Sequence, residues 1–395
     1  GRGPGAGRPG GQCNEFGPLN SSSAFGSNPV HSRIVSLPLA GAMKSALMKH
    51  IPDARLHASL PVRVMLYALI GFGRRLGNAS PSSFQAFMRW FVEPVFSIMA
   101  RLMARGLISR SHAIGCPLPA VWLTLKGADA DGAQGERGTG SPETVIVWLP
   151  GGGFLTRSPT ATPFAMALLP RLARLLPAGS SVPRILVLNY RLPAKAAETM
   201  YDLEAALSWA SASGRRLIVC GDSAGGYLAV SLALRAARQR GAEGAAAVGL
   251  PSALLGAVGV CPWLDFTHSG GSVQQNLNMD LLPLSFVERG ARSWVQAMVD
   301  SGIPEEEALR TSSPAIASDL SYMEKGKVFL VAGARDILRD DTLRFAKRAP
   351  EGAVRTLVVD DGVLGTHDMV LMMRSEKTEA AFDAVAGFCA ERMAA

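Results

Sequence analysis

The sequence predicts an α/β protein with a mostly parallel sheet that helices cover on both faces. From about residue 118, short apolar runs of strand length alternate with longer stretches of helical periodicity. The runs hold hydrophobic residues at consecutive positions, as strands buried on both faces do. The candidate strands are Val121–Leu125, Thr144–Leu149, Arg184–Asn189, Arg216–Cys220, Leu254–Val260, Val328–Ala332 and Val354–Val359. The candidate helices between them lie near Phe164–Leu176, Met200–Ala212, Ala224–Arg238, Thr342–Arg348 and Glu376–Cys389.

The segments outside this alternation predict the domain organisation. Sixteen of residues 1–30 are Gly, Pro or Ser, which predicts a disordered leader, although an Arg-containing, acid-poor leader is also typical of transit peptides. Residues 31–117 are predicted to be a helical region that contributes to a cap. The core is predicted to comprise residues 118–262 and 321–395. Residues 263–320 are too long for an ordinary connection and contain helical patterns such as Phe286–Val299, so we expect a cap insertion there.

The helical pattern is strongest within residues 55–110. From Phe84 to Met103 the apolar residues recur at helical spacing, Ser80 and Pro81 are suited to a helix start, and Pro94 should kink the helix. A lid packed on the core is the favoured interpretation. A membrane-surface helix is the alternative, because basic residues lie on or near the polar side, namely Arg89, Arg101 and Arg105.

Charge and cysteine content exclude several classes of function. The 395 residues carry a net charge of +8, but the charge is unevenly distributed. Residues 1–115 hold 13 basic and three acidic residues, a net charge of +10, whereas the other residues hold 27 basic and 29 acidic residues, a net charge of −2. Nucleic-acid binding is therefore not predicted. The five cysteines show no metal or redox spacing, which favours an intracellular protein, cytoplasmic or peripherally bound to a membrane. The longest uncharged apolar run, Val64–Phe72, is about half the length of a membrane span.

A G-x-S-x-G pattern directly follows the candidate strand Arg216–Cys220. It reads Gly221-Asp222-Ser223-Ala224-Gly225-Gly226 and leads into a helix. The glycines allow a sharp turn that exposes the serine oxygen above the sheet, so Ser223 is the predicted nucleophile. A glycine-rich turn or a phosphate cradle is the alternative, and neither a Walker lysine nor a G-x-G-x-x-G pattern accompanies it.

A nucleophilic serine needs a base and an acid that orients the base. Of the six histidines, His367 alone follows the last candidate strand, in a polar loop suited to a catalytic base. Asp336, directly after the strand Val328–Ala332, is the favoured acid. Four other aspartates compete with it, namely Asp340, Asp341, Asp360 and Asp361.

Donors for an oxyanion are predicted where the strand Thr144–Leu149 ends. Pro150 and Phe154 flank three glycines there, whose N–H groups no side chain obstructs. The predicted oxyanion hole comprises this glycine run and the start of the elbow helix: Gly151, Gly152, Gly153 and Ala224. Of these, Gly152, Gly153 and Ala224 are the expected N–H donors. A tight turn without a ligand is the alternative.

Taken in order, these motifs resemble the hormone-sensitive lipase family, the fold-3 esterases of the α/β-hydrolases. The segments are Pro150–Phe154, Tyr190-Arg191-Leu192, Gly221–Gly226, Pro262-Trp263-Leu264-Asp265, Ser313-Pro314, Gly333-x-x-Asp336-x-Leu338 and Gly365-Thr366-His367. The resemblance covers about residues 118–392 and implies an α/β-hydrolase fold with an eight-stranded sheet, a helical cap and a Ser-Asp-His site. The chain is weakly similar to fungal steryl acetyl hydrolases in its apolar N-terminal extension.

The chain departs from the family pattern in two places. Pro150 stands where the family usually has His, and Pro193-Ala194-Lys195 replaces the usual Ala-Pro-Glu. The first departure puts loop rigidity and substrate range in doubt more than hydrolysis.

The predicted function is carboxylic ester hydrolysis of uncharged, apolar esters, with short to medium acyl chains or acetyl esters of hydrophobic alcohols. The partner is a small-molecule ester, and neither a metal nor an organic cofactor is required. Alternatives are a non-catalytic protein that binds hydrophobic ligands on the same fold, and an acyltransferase or amidase with the same triad. Peripheral membrane association through the basic N-terminal helices is a further expectation.

Overall fold

The computed structural model describes residues 106–127, 143–178, 180–243 and 250–395, with short stretches at 56–57, 71–73, 75, 80–92, 94, 98, 102 and 104. The predicted disordered leader, residues 1–30, lies outside the described residues, as do Arg101 and Arg105. Among the described residues, no helix has the length and apolarity that a bilayer span requires.

The core is an eight-stranded, mostly parallel sheet, which confirms the predicted fold class. The strand order is β2-β3-β5-β4-β6-β7-β8-β9. The strands are β2 (Ile108–His112), β3 (Ala120–Leu125), β4 (Thr144–Leu149), β5 (Arg184–Leu188), β6 (Arg216–Asp222), β7 (Leu254–Val260), β8 (Val328–Gly333) and β9 (Val354–Val359). Only the β2–β3 and β3–β5 pairs are antiparallel. The carboxyl ends of β4, β6, β7, β8 and β9 therefore meet at one edge of the sheet, where ligands bind in such folds.

Helices cover both faces of this sheet because the central strands are apolar on both sides. All six residues of β4 are buried, and successive side chains point to opposite faces. Val145 and Val147 pack in the cluster with α3 and α4, whereas Ile146 and Trp148 pack in the cluster with α2 and α11. The helices are α1 (Pro81–Phe87), α2 (Ala161–Leu175), α3 (Ala196–Ser211), α4 (Ser223–Glu243), α5 (Leu250–Ala253), α6 (Gly271–Asn276), α7 (Leu284–Asp300), α8 (Glu305–Thr311), α9 (Arg339–Arg348), α10 (Met369–Met372) and α11 (Glu376–Ala394).

Two short strands correct the prediction that residues 55–110 are helical. Residues 108–112 form β2, which pairs antiparallel with β3 at the sheet edge. Leu56–His57 form β1, which pairs in parallel with β10 (Met373–Arg374). The backbone N–H and C=O groups of both strands bond to partner strands elsewhere in the chain. The stabilisation from this pairing outweighs a local preference for helix.

The N-terminal helix begins at Pro81, as predicted, and changes form before Pro94. After α1, residues Met88–Val92 form a π-helical turn. A proline in a helix supplies no N–H to the carbonyl four residues earlier, which favours such a local change of hydrogen bonding.

The same helix contacts the segment between β7 and β8, which contains α6, α7 and α8. Arg289 on α7 donates to the Ser82 hydroxyl at 2.6 Å. Gln85 donates to the Leu155 carbonyl at 3.3 Å, close to the glycine loop after β4. These contacts place α1 beside α7 and the carboxyl edge of the sheet.

Candidate active site

The predicted nucleophile lies on a sharp turn between β6 and α4. Ser223 has φ of +52°, a left-handed conformation that non-glycine residues rarely adopt, and it is 4% exposed. The turn requires two backbone segments to approach closely, because a Cβ at Gly225 would overlap the Leu149 carbonyl. This strained strand-to-helix turn is the elbow that the G-x-S-x-G pattern predicts.

The glycine loop after β4 lies directly against this elbow. A Cβ at Gly151 would lie 3.0 Å from the Ser223 Cβ, so any larger residue there would crowd the serine. The Tyr190 hydroxyl donates to the Pro150 carbonyl at 2.6 Å, and the Gly151 N–H donates to Asp222 at 3.0 Å. These two bonds hold the loop from both sides, although Pro150 replaces the histidine usual in the family.

One of the predicted oxyanion residues is engaged elsewhere. The Gly151 N–H points to the Asp222 carboxylate and so does not face a ligand, which corrects its assignment to the oxyanion hole. Gly152 and Gly153 have φ of +109° and +60°, and their N–H groups donate to no acceptor in the part of the chain that the structure describes. The Ala224 N–H, at the start of α4, has no acceptor within its helix.

The predicted base and acid form a direct hydrogen bond. His367 Nδ1 lies 3.1 Å from Asp336 Oδ2 and 3.2 Å from Oδ1, and both side chains are buried. The Leu338 N–H donates to Asp336 Oδ1 at 2.8 Å and fixes the carboxylate. Asp336 thus orients the imidazole ring from its Nδ1 edge.

Two of the competing aspartates bond to other parts of the chain. Asp341 accepts from the Leu264 and Asp265 N–H groups, and Asp340 accepts from the Ser272 N–H. Both therefore hold the segment after β7 rather than the histidine.

Comparison with known proteins agrees with this fold. A family model described as alpha/beta hydrolase fold matches residues 146–367, more than half of the chain. The chain belongs to this family. The match confirms the family resemblance stated from the motifs. No curated protein matches the chain significantly.

Solved structures similar to this α/β-hydrolase share its fold. An esterase of the bacterial hormone-sensitive lipase family is 21% identical, with a TM-score of 0.57 over 83% of this chain and 98% of that one. A fungal esterase from Rhizomucor miehei is 17% identical, with a TM-score of 0.56 over 93% and 99%. An esterase/lipase from an uncultured bacterium is 19% identical, with a TM-score of 0.55 over 91% and 100%. Identities this low show a common fold.

A further residue of the hydrolase's candidate site, Asp280, is not predicted by the sequence motifs. Asp280, between α6 and α7, accepts from the His367 N–H at 2.8 Å and from the Ile337 N–H at 2.8 Å. One buried carboxylate thereby ties the loop of the base to the loop of the acid. Its only signal in the sequence is a lone acid between apolar residues, which by itself does not indicate a partner.

Several carboxylates around His367 favour its charged form. Burial opposes the imidazolium, but Asp368, Asp336 and Asp280 outweigh burial and raise the pKa of His367 to about 10. Burial, followed by the nearby Asp336, raises the pKa of Asp280 to about 7, although His367 lowers it in part. In this arrangement the neutral imidazole that a general base needs is therefore disfavoured.

Ser223 and His367 meet at the same edge of the hydrolase without a direct bond. Among the described residues, no hydrogen bond joins Ser223 Oγ to the imidazole. The Nε2 atom instead lies 3.4 Å from Asp368 Oδ2. The structure thus joins the acid to the base and places the elbow beside the glycine loop.

Cys261 completes a group of three side chains with potential ligand atoms. Its sulfur, an Asp336 oxygen and a His367 nitrogen lie within 4.8 Å of one another. Burial raises the pKa of the Cys261 thiol well above its usual value, with Asp336 adding to the effect, so the thiol stays protonated. Asp336 already bonds Nδ1 of His367, so the three side chains form an acid–base pair with a neighbouring buried thiol.

Proposed function

We propose that this α/β-hydrolase is a serine carboxylesterase that acts on uncharged, apolar esters. The observation that carries the proposal is the Asp336–His367 pair at the edge of the sheet where the strained Ser223 elbow lies beside the glycine loop. Acyl transfer needs these groups together: a nucleophile, a base, an orienting acid and N–H donors.

The proposed reaction assigns one role to each of these groups. His367 Nε2 takes the proton from Ser223 as its Oγ attacks the ester carbonyl carbon. The Gly152, Gly153 and Ala224 N–H groups bind the oxyanion, and Asp336 holds the ring tautomer and stabilises the imidazolium. His367 then protonates the departing alcohol, and it later deprotonates the water that releases the acid from the acyl-enzyme.

The surroundings of the glycine loop support an apolar substrate. A Cβ at Gly153 would lie 2.6 Å from the Phe286 ring, so the cap helix α7 lies directly over this part of the loop. The buried face of α7 also holds Val287 and Trp294, and Trp294 stacks on Phe154 with 4.2 Å between ring centroids. Because burial of a charged group costs free energy, an uncharged ester suits these surroundings best.

The test is hydrolysis of a nitrophenyl ester series from acetyl to palmitoyl. We expect turnover that falls with increasing chain length, together with labelling of Ser223 by a fluorophosphonate. Absence of turnover and labelling across the series, with retained binding of a hydrophobic ligand, would instead identify a non-catalytic binding protein. Faster transfer to an added alcohol or amine than to water would identify an acyltransferase.

We also propose peripheral association with anionic membranes through the N-terminal segment. The supporting observation is that large apolar side chains are exposed there: Trp90 (76%), Ile98 (56%) and Leu102 (56%). The exposed Arg89 guanidinium lies 5.6 Å from the Trp90 ring, which pairs a cation with an apolar ring as interfacial helices do.

Trp90→Asp is expected to weaken binding to anionic vesicles by about tenfold, because a large apolar side chain no longer enters the interface. Tyr201→Asp is the matched control, since Tyr201 is equally exposed (74%) but lies on α3 of the core. Co-sedimentation with phosphatidylserine vesicles measures both. Equal binding of wild type and the Trp90 variant would contradict the proposal.

A further inference from the structure

The residue after the predicted base turns its carboxylate back onto the imidazole. Asp368 has φ of +57°, a left-handed conformation, and its Oδ2 lies 3.4 Å from His367 Nε2. The opposite ring atom, Nδ1, lies 3.1 Å from Asp336. The imidazole is therefore held between two carboxylates, one at each nitrogen.

Asp368 also reaches the residue before the nucleophile. The carboxyl groups of Asp222 and Asp368 lie within hydrogen-bond reach of each other. Asp222 Oδ2 and Asp368 Oδ1 are both buried and have no donor in the part of the chain that the structure describes. A proton shared between the two carboxyls satisfies both oxygens, as in other buried carboxylate pairs.

The other oxygen of Asp222 accepts two hydrogen bonds, one from the glycine loop and one from the residue before α2. Asp222 Oδ1 accepts from the Gly151 N–H at 3.0 Å and from the Thr160 hydroxyl at 2.9 Å. The carboxyl pair thus joins three elements: the glycine loop, the elbow and the loop of the base. Gain or loss of a proton at this carboxyl pair therefore changes the hydrogen bonding of all three elements.

We propose that Asp368 is a positioning residue that holds Nε2 of His367 away from Ser223, and that it thereby sets the pH at which the site becomes active. The inference rests on the proposed function and adds a control of its pH range. In the resting arrangement Nε2, with its proton, lies 3.4 Å from Asp368 Oδ2. When His367 loses that proton, the attraction to Asp368 is lost and the Nε2 lone pair is available to Ser223.

The ionisable groups close to His367 or to its neighbour Asp368 come from four other parts of the chain. Asp336 follows β8, Asp280 precedes α7, Asp222 ends β6 and Cys261 follows β7. The carboxylates favour the imidazolium, whereas burial disfavours it. Asp368 is the one that contacts Nε2, so its removal should lower the pKa of His367 and make the base available at lower pH.

The decisive variant is Asp368→Asn. Asn keeps the size of the side chain and accepts the left-handed conformation, so the loop is retained while the charge is removed. In the pH profile of kcat/KM on nitrophenyl acetate, we expect the acid limb, where activity rises as His367 loses its proton, to shift to lower pH by about 1–3 units. Asp360→Asn, an exposed acid in the same loop, is the matched control and should leave the limb in place.

Asp222→Asn should move the limb in the opposite direction. Its amide can donate to Asp368 and stabilise the carboxylate, which raises the pKa of His367, while its oxygen still accepts from Gly151. Opposite shifts in the two variants cannot arise from a general loss of packing. Such a loss would lower the rate but would not move the acid limbs of the two pH profiles in opposite directions.

An independent titration separates this inference from the esterase function. Nitrogen-15 NMR of the imidazole reports the pKa of His367 in each full-length variant, whether or not the protein hydrolyses esters. A lowered pKa in Asp368→Asn supports the inference even if no ester is turned over. An unchanged pKa and an unchanged acid limb in the folded variant overturn it, even if wild type is an active esterase.

Discussion

Ser223→Ala is expected to reduce kcat on nitrophenyl acetate by about 10⁴–10⁶-fold. The substitution removes the attacking oxygen, and neither His367 nor the N–H donors can replace it. The residual rate should come from substrate binding and the oxyanion donors acting on a water molecule. KM should change little, because the hydroxyl contributes little to binding of the ester.

The control for this variant is Ser231→Ala, the same chemical change two turns further along α4. It should keep the wild-type rate within about twofold, because the half-buried Ser231 hydroxyl bonds to Tyr227 and loss of one such bond costs about 1 kcal/mol of stability rather than turnover. Initial rates measured with equal amounts of folded protein compare the two. Equal turnover by wild type and Ser223→Ala would show that another group is the nucleophile and would exclude the proposed mechanism.

Gly225→Ala is expected to destabilise the folded protein by about 3 kcal/mol or more. Its Cβ would overlap the carbonyl oxygen of Leu149 in β4, and a backbone carbonyl in a sheet cannot rotate away as a side chain can. The elbow would have to move from the sheet, so ester hydrolysis should fall together with stability. A thermal melt should show a Tm lowered by about 4 °C or more, or the variant should fail to accumulate as soluble protein.

Gly387→Ala provides the contrasting change. Gly387 lies within α11, and a Cβ there meets nothing within 4 Å. Alanine in a helix interior is favoured over glycine by about 0.5–1 kcal/mol, so this variant should melt at or slightly above the wild-type temperature. If both glycine variants melted at the same temperature, the prediction that a Cβ at Gly225 overlaps the Leu149 carbonyl of β4 would be contradicted.

The strands and the motifs of the candidate site could be located because their signals are local. Thr144–Leu149 and Leu254–Val260 are apolar runs with the same bounds in the sequence prediction and in the structure. Ser223 could be selected because the glycines that its turn needs are its immediate neighbours. His367 and Asp336 could be selected by elimination, since each follows a strand in a chain with few histidines.

The errors arose where a residue's partner is distant in the chain. Residues 108–112 were assigned to a helical region because their pairing with β3 leaves no local pattern on a polar edge strand. Gly151 was placed among the oxyanion residues because glycine content alone does not show where an N–H points. That N–H bonds to Asp222, 71 positions away.

The sequence alone determined the α/β class, most strand positions and the identity of Ser223, Asp336 and His367 as candidates. These follow from side-chain periodicity and from residue types adjacent to strand ends, which are properties of neighbouring positions. Only the tertiary structure decided that Asp280 links the two catalytic loops and that Asp368 lies against Nε2. The hydrogen bond from the His367 N–H to Asp280 spans 87 positions. Contacts of that kind depend on the order of strands in the sheet, because the sheet brings the carboxyl ends of separate strands to one edge.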